Sequence, residues 1–159
     1  MNCGESITTI ALSDTVLSKG TAAFNILAAG GDCTLPLDRG ITQTQLGNLA
    51  AQTLALNYNV QHFSGFGAQT LGAVGCLTPE AIFLGFTSGT TLNMVRFISN
   101  LIIDRAENGA PLVTRQQVTR MNMLLGGCVN QIGSLSLTGL QSAWFASSTS
   151  YGFPLYLTR

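Results

Sequence analysis

Residues 42–59 read TQTQLGNLAAQTLALNYN. Thr42-Gln43-Thr44-Gln45 has the form of a capping box, in which the Thr42 hydroxyl accepts from the backbone N–H of Gln45 and the Gln45 amide reaches back. Leu46, Leu49, Ala50, Thr53, Leu54 and Asn57 then recur at intervals of three and four. That spacing predicts an amphipathic helix ending near Asn59.

Three more helices follow the same logic. Thr78-Pro79-Glu80 offers a capping hydroxyl, a proline at the first helical position and an acid in the first turn, so a short helix should run through PEAIFLGF. Ser88-Gly89-Thr90 interrupts it. A long helix is expected from about Thr91 to Glu107, with Leu92, Val95, Ile98, Ser99, Ile102 and Ala106 on one face. Phe97, Leu101 and Ile103 widen the apolar stripe and imply burial on more than one side. Asn108-Gly109 and Pro111 are stop signals. Thr114-Arg115-Gln116-Gln117 repeats the capping box, with Val118, Met121, Leu124 and Leu125 as the core face and Gly126-Gly127 as the expected end, just before Cys128. Residues 61–77 hold four glycines and read as a loop.

The two ends of the chain lack this periodicity. Residues 6–12 (SITTIAL) are β-branched and read as a strand, residues 21–29 suit a short helix or a strand, and residues 134–138 alternate like a strand. The fold class is therefore mainly α. A core of three to four helices over 42–128 lies between an irregular or β-like part at 1–40 and an aromatic-rich tail at 129–159, all in one domain of 159 residues.

Composition narrows the function. Only 9% of the residues are charged and the formal net charge is zero, against about 25% charged in an ordinary soluble domain. Little long-range repulsion keeps such copies apart. The seven bases and seven acids form no run or patch, so the counterion-displacing footprint of a nucleic-acid binder is missing. No stretch approaches a membrane span. The first residues, MNCGE, lack the basic and apolar regions of a signal peptide, so a secreted chain would be a mature form or an excerpt.

Four cysteines stand at 3, 33, 76 and 128, too far apart for a C-x-x-C metal or redox motif. Their even number suits an oxidised, secreted protein. Four cysteines allow three connectivities. A bridge between Cys76, just before the short helix, and Cys128, just after the third main helix, would tie the core together, and Cys3–Cys33 would pin the N-terminal part. Four buried thiols are the alternative.

Candidate chemistry is sparse. His62 is the single histidine and any Ser–His–Asp or Cys–His site would need it, but a lone loop histidine beside Phe63 is more simply a satisfied polar residue. Asp104 and Glu107 could form a carboxylate pair, yet with Arg105 they read more simply as an exposed helix end. Gly65-Phe66-Gly67 lacks the third glycine of a dinucleotide fingerprint, and no GK[ST] occurs. No cofactor or metal is expected. Trp144, Phe145, Tyr151, Phe153 and Tyr156 could form a sugar-stacking platform, but terminal aromatics are more often packing anchors.

Three segments carry a likeness. LAAQTLALNYNV at 49–60, TLNMVRFISN at 91–100 and VTRMNMLL at 118–125 resemble successive helices of a recurring element in large secreted, surface-displayed proteins of Bacteroidota. The likeness spans roughly residues 45–128. It implies an extracellular or cell-surface, mostly helical, non-catalytic module of the kind found in adhesins, and it transfers no functional residue.

These readings converge on a structural subunit or surface module, with other copies of itself or the rest of a larger surface protein as partners. Ile7, Ile10 and Leu12 at one end, and Phe153, Leu155 and Tyr156 at the other, are the expected self-association residues. Two unlike patches at opposite ends give head-to-tail growth and a filament or layer. An adhesin binding module, a viral coat protein and a small secreted hydrolase are the alternatives.

Overall fold

The computed structural model describes residues 43–107 and 114–132. Helix α1 spans Gln43–His62, α2 Leu71–Val74, α3 Pro79–Phe83, α4 Leu92–Glu107 and α5 Arg115–Leu124. A π-turn at Leu125–Val129 continues α5 into a final turn, α6, at Asn130–Ile132. The mainly α fold is as the periodicity indicated. The expected segments at 6–12, 21–29 and 134–138, the Thr42 cap and the stop at Asn108–Pro111 lie outside the described residues.

Helix α1 is the axis of the fold. Its 20 residues contain no Asp, Glu, Lys or Arg, so no side of it is barred from the interior. Leu46, Leu49, Ala50, Ala51, Leu54, Ala55, Leu56 and Tyr58 are all buried, as are Thr53, Asn57 and Asn59. The one-faced amphipathic helix expected from its spacing is thus corrected to a helix buried around nearly its whole circumference. It packs on α4 on one side and on α5, the π-turn and α6 on another. It also runs three residues beyond Asn59, because nothing before Gly65 breaks it.

Burying polar residues without partners is costly, so each needs a hydrogen bond. The Thr53 hydroxyl donates to the Leu49 carbonyl at 2.6 Å. That leaves it to accept from the Ser99 hydroxyl of α4, also at 2.6 Å. One turn on, Asn57 Nδ2 donates to the Thr53 carbonyl and to Asn100 Oδ1, and Asn57 Oδ1 accepts from Arg96 at 3.4 Å. Asn59 Nδ2 donates to the Ala55 carbonyl. The α1–α4 contact is therefore a polar seam inside an apolar interface, and it fixes which turn of one helix faces which turn of the other.

On α4, Leu92, Val95, Ser99, Ile102 and Ile103 are buried. Phe97, expected to widen the buried stripe, is 56% exposed. It stands two residues from both Val95 and Ser99, about 200° around the helix from either, so it faces away from α1.

The glycine-rich stretch at 61–77 is more ordered than a plain loop. Thr70 caps α2 by accepting from Ala73 N–H at 3.1 Å. A short antiparallel bridge pairs Thr70 with Thr91, with Leu71 N–H on Thr90 O and Leu92 N–H on Gln69 O, both at 2.9 Å. The segment leading into α2 is thus stitched to the N-terminus of α4. Thr78 caps α3 as its sequence indicated. That helix stops at Phe83, short of the full PEAIFLGF, because Gly85 turns left-handed at φ 87° and Phe86 N–H closes back on Ala81 O.

Gly126-Gly127, expected to terminate α5, does not. The helix widens into the π-turn and carries on to Ile132. The capping box at Thr114–Gln117 is present in both of its bonds.

Leu54 is fully buried and Ile102 is 7% exposed. Leu54→Ala and Ile102→Ala should each cost about 2–5 kcal/mol, read as a fall in chemical-denaturation midpoint without a change in slope. Midpoints unchanged for both would contradict the packing described.

Candidate functional site

The feature around which chemistry-bearing side chains gather is the disulfide between Cys76 and Cys128, whose Cα atoms are 5.8 Å apart. Local sequence delivers each sulfur. After α2, Gly75 adopts φ 75°, a conformation that costs a side-chain-bearing residue roughly 1–2 kcal/mol. This turn lets Gly75 N–H bond to Gly72 O and Cys76 N–H to Leu71 O, the paired closure of a Schellman motif. Cys76 is thereby swung into the core, where it is fully buried. Cys128 comes from the π-turn and is half-buried.

Beside the bridge, Gln52 of α1 reaches the π-turn. A Cβ on Gly126 would lie 2.8 Å from Gln52 Nε2, so the glycine is there to admit the amide rather than to end the helix. Asn130 Nδ2 donates to the Gln52 backbone carbonyl at 2.9 Å and to Gln52 Oε1 at 2.7 Å. Asn130 is 1% exposed, and its own Oδ1 accepts no hydrogen bond. On the outer side lies an open depression of about 530 Å³ lined by Gln52, Glu80, Asn122, Met123, Gly126 and Gly127. Glu80 is the single ionisable group in that lining, so the depression presents no nucleophile–base pair.

The other candidates fall elsewhere. His62 is at the last turn of α1 rather than in a loop; it is exposed, with its ring stacked on Tyr58 at 5.8 Å between centroids. Asp104 and Glu107 belong to the last turns of α4, and their side chains lie outside the described residues. Gly65-Phe66-Gly67 forms the turn after α1, where Phe66 is buried and Gly67 O accepts from Asn93 N–H. Among the described residues no three His, Cys, Asp or Glu side chains stand close enough to hold a metal ion, and no helix is long and apolar enough to cross a membrane. Cys3, Cys33, Ile7, Ile10, Leu12, Phe153, Leu155 and Tyr156 lie outside the described residues.

The described surface carries large apolar side chains. Ile82, Phe83, Met94, Phe97 and Met123 are each between 45% and 60% exposed. The Phe83 ring is covered on one side by the Arg120 guanidinium, 4.5 Å from its centroid, a cation–π contact that joins α3 to α5.

Sequence reading found the cysteine pair but missed Gln52 and Asn130. A lone Gln on a helix and an Asn after a cysteine have no local signature, and their pairing spans 78 residues. The bridge closes a loop with a sequence separation of 52, for which chain entropy gives about 4 kcal/mol. Replacing both Cys76 and Cys128 by Ser should lower unfolding free energy by about that amount. A denaturation curve superimposable on the parent's would show that the bridge does not constrain the unfolded chain.

No protein-family model, no curated protein and no solved structure matches this chain.

Proposed function

We propose that this chain is a non-enzymatic, secreted structural subunit that self-assembles into an extracellular filament or layer. The observation that carries the reading is the combination of 9% charged residues with zero net charge. Such a surface does little to oppose contact between copies. Six large apolar side chains exposed on the described helices add to that tendency. The Cys76–Cys128 bridge favours an oxidising compartment, which is where the likeness to secreted surface proteins of Bacteroidota would place the chain.

In this reading the contacts are head-to-tail. The segment with Ile7, Ile10 and Leu12 adds a strand to a neighbour, and Phe153, Leu155 and Tyr156 anchor the opposite end. Copies are the partners, and neither nucleic acid nor a cofactor takes part.

Light scattering and negative-stain imaging of the full chain test this. Large particles with a regular repeat are expected, and removal of residues 1–12 or of 145–159 should reduce them to monomers or short oligomers. A full-length chain that stays monomeric at high concentration overturns the proposal and favours a binding module excised from a larger adhesin. A hydrolytic activity lost in His62→Ala would favour the enzyme reading instead.

A further inference from the structure

The hydrogen-bonding character of the depression beside Gly126 is set from beneath. The Gln52 backbone carbonyl can only accept, so the Asn130 amide must turn Nδ2 toward it, at 2.9 Å. The same nitrogen reaches the Gln52 side chain at 2.7 Å, and the atom it meets there must be the oxygen, Oε1. That orients the Gln52 amide in turn. Its Nε2 is on the side away from Asn130 and lies over Gly126, 2.8 Å from where a Cβ would stand. Asn130 is 1% exposed, so the orientation is imposed by the core. Gln52 therefore offers the depression a donor rather than an acceptor, and Nε2 is engaged by no other described residue.

Two further polar side chains line the same space, the half-buried Glu80 of α3 and Asn122 of α5. Neither makes a hydrogen bond or ion pair with a described residue. The carboxylate only accepts, and the Asn122 amide both donates and accepts. An apolar edge runs beside them. Met123, in the lining, is 50% exposed. Phe83, 45% exposed, follows Glu80 by three residues, and Arg120, whose guanidinium lies on the Phe83 ring, precedes Met123 by three. Residues three apart on a helix share a side, so Phe83 and Met123 flank the same edge.

We propose that this depression is a binding site for a neutral sugar. Each sugar hydroxyl donates and accepts at once, and a carboxylate beside two amides answers both needs. Hydroxyls donate to Glu80 in charge-assisted bonds and accept from Gln52 Nε2 and the Asn122 amide. The C–H face of the ring packs on Met123 and the edge at Phe83. Other ligand classes fit less well. Glu80 repels anions, and the lining has no cationic side chain to hold one. An apolar ligand would meet a single thioether. All six lining residues belong to helices or the π-turn, so an extended peptide finds no strand edge to join. The volume, about 530 Å³, falls within the range of small-ligand sites, roughly 300–1,000 Å³. Because the depression is open, the ring it holds can be one unit of a longer glycan.

Equilibrium dialysis of the full chain tests this and reads binding in any state of assembly, so its outcome is separate from that of the assembly proposal. The probes are radiolabelled oligosaccharides of glucose in α and β linkage, of mannose and of galactose, with butylammonium as a cationic control. At least one oligosaccharide should be retained with saturation at millimolar concentration. Glu80→Gln keeps the shape of the side chain and should weaken that binding at least fivefold. Gly126→Ala puts a methyl group where Gln52 Nε2 lies and should weaken it by as much or more. If the alanine variant does not fold, by circular dichroism, Glu80→Gln carries the test alone. Three results overturn the proposal: no oligosaccharide retained, a retained one whose affinity Glu80→Gln leaves unchanged, or butylammonium bound in place of every sugar.

Discussion

Everything described here depends on the burial of an uncharged helix on nearly all sides. An α-helix usually leaves one face to water, and that face carries its charges. Helix α1 has no such face, and it therefore places Thr53, Asn57 and Asn59 in the interior together with its leucines. Each of these three bonds back to a carbonyl four residues earlier, so part of its hydrogen-bonding capacity is met within α1 itself. The remaining capacity of Thr53 and Asn57 is met from α4 through Ser99, Asn100 and Arg96. Apolar packing alone tolerates sliding between helices, because leucine contacts are interchangeable. A hydroxyl pair at 2.6 Å is not interchangeable: a one-turn slip would part the buried Ser99 hydroxyl from Thr53, and a buried hydroxyl left without a partner costs about 1–3 kcal/mol.

On another side of α1 a glutamine does different work. Gln52 faces the π-turn, close to Gly126 and bonded to Asn130. Here the interface is a junction of three devices, a left-handed glycine at 75, a crosslink and a partly buried amide pair. The turn at Gly75 places Cys76, the bridge places Cys128, and Cys128 lies in the π-turn that places Asn130. Positive φ, covalent closure and hydrogen bonding thus act in series on one helix end. Such π-turns recur where a protein trades helix regularity for a side-chain position.

The proposed assembly role fits this interior. A chain that can bury a polar, uncharged helix needs few charges anywhere, and a low-charge exterior suits contact with further copies of the same surface. The Cys76–Cys128 crosslink adds a covalent constraint to a small core. The depression beside it has Glu80 as the single ionisable group in its lining.

The sequence by itself determined where the main helices lie and how most of them begin. Thr78, Thr91 and Thr114 each accept from a backbone N–H three residues on, and such caps are legible because they involve only neighbours along the chain. Buried leucines at 46, 49 and 54, and the row Leu92, Val95, Ser99 and Ile102, followed from period alone. The expectation that Cys76 and Cys128 could meet, one of three possible connectivities, rested on their places beside helices of one core, and the bridge is present. Three outcomes were settled only in the tertiary structure. The second side of α1 was buried because other helices surround it, which periodicity cannot register. Phe97 faced outward because helix packing chose one of two apolar arcs. The glycines at 126 and 127 became a π-turn instead of a stop because Gln52 and Cys76, 74 and 52 residues away in sequence from the groups they engage, claim that backbone. Local signals report which conformations a segment favours; only contacts between distant residues decide which of them is kept.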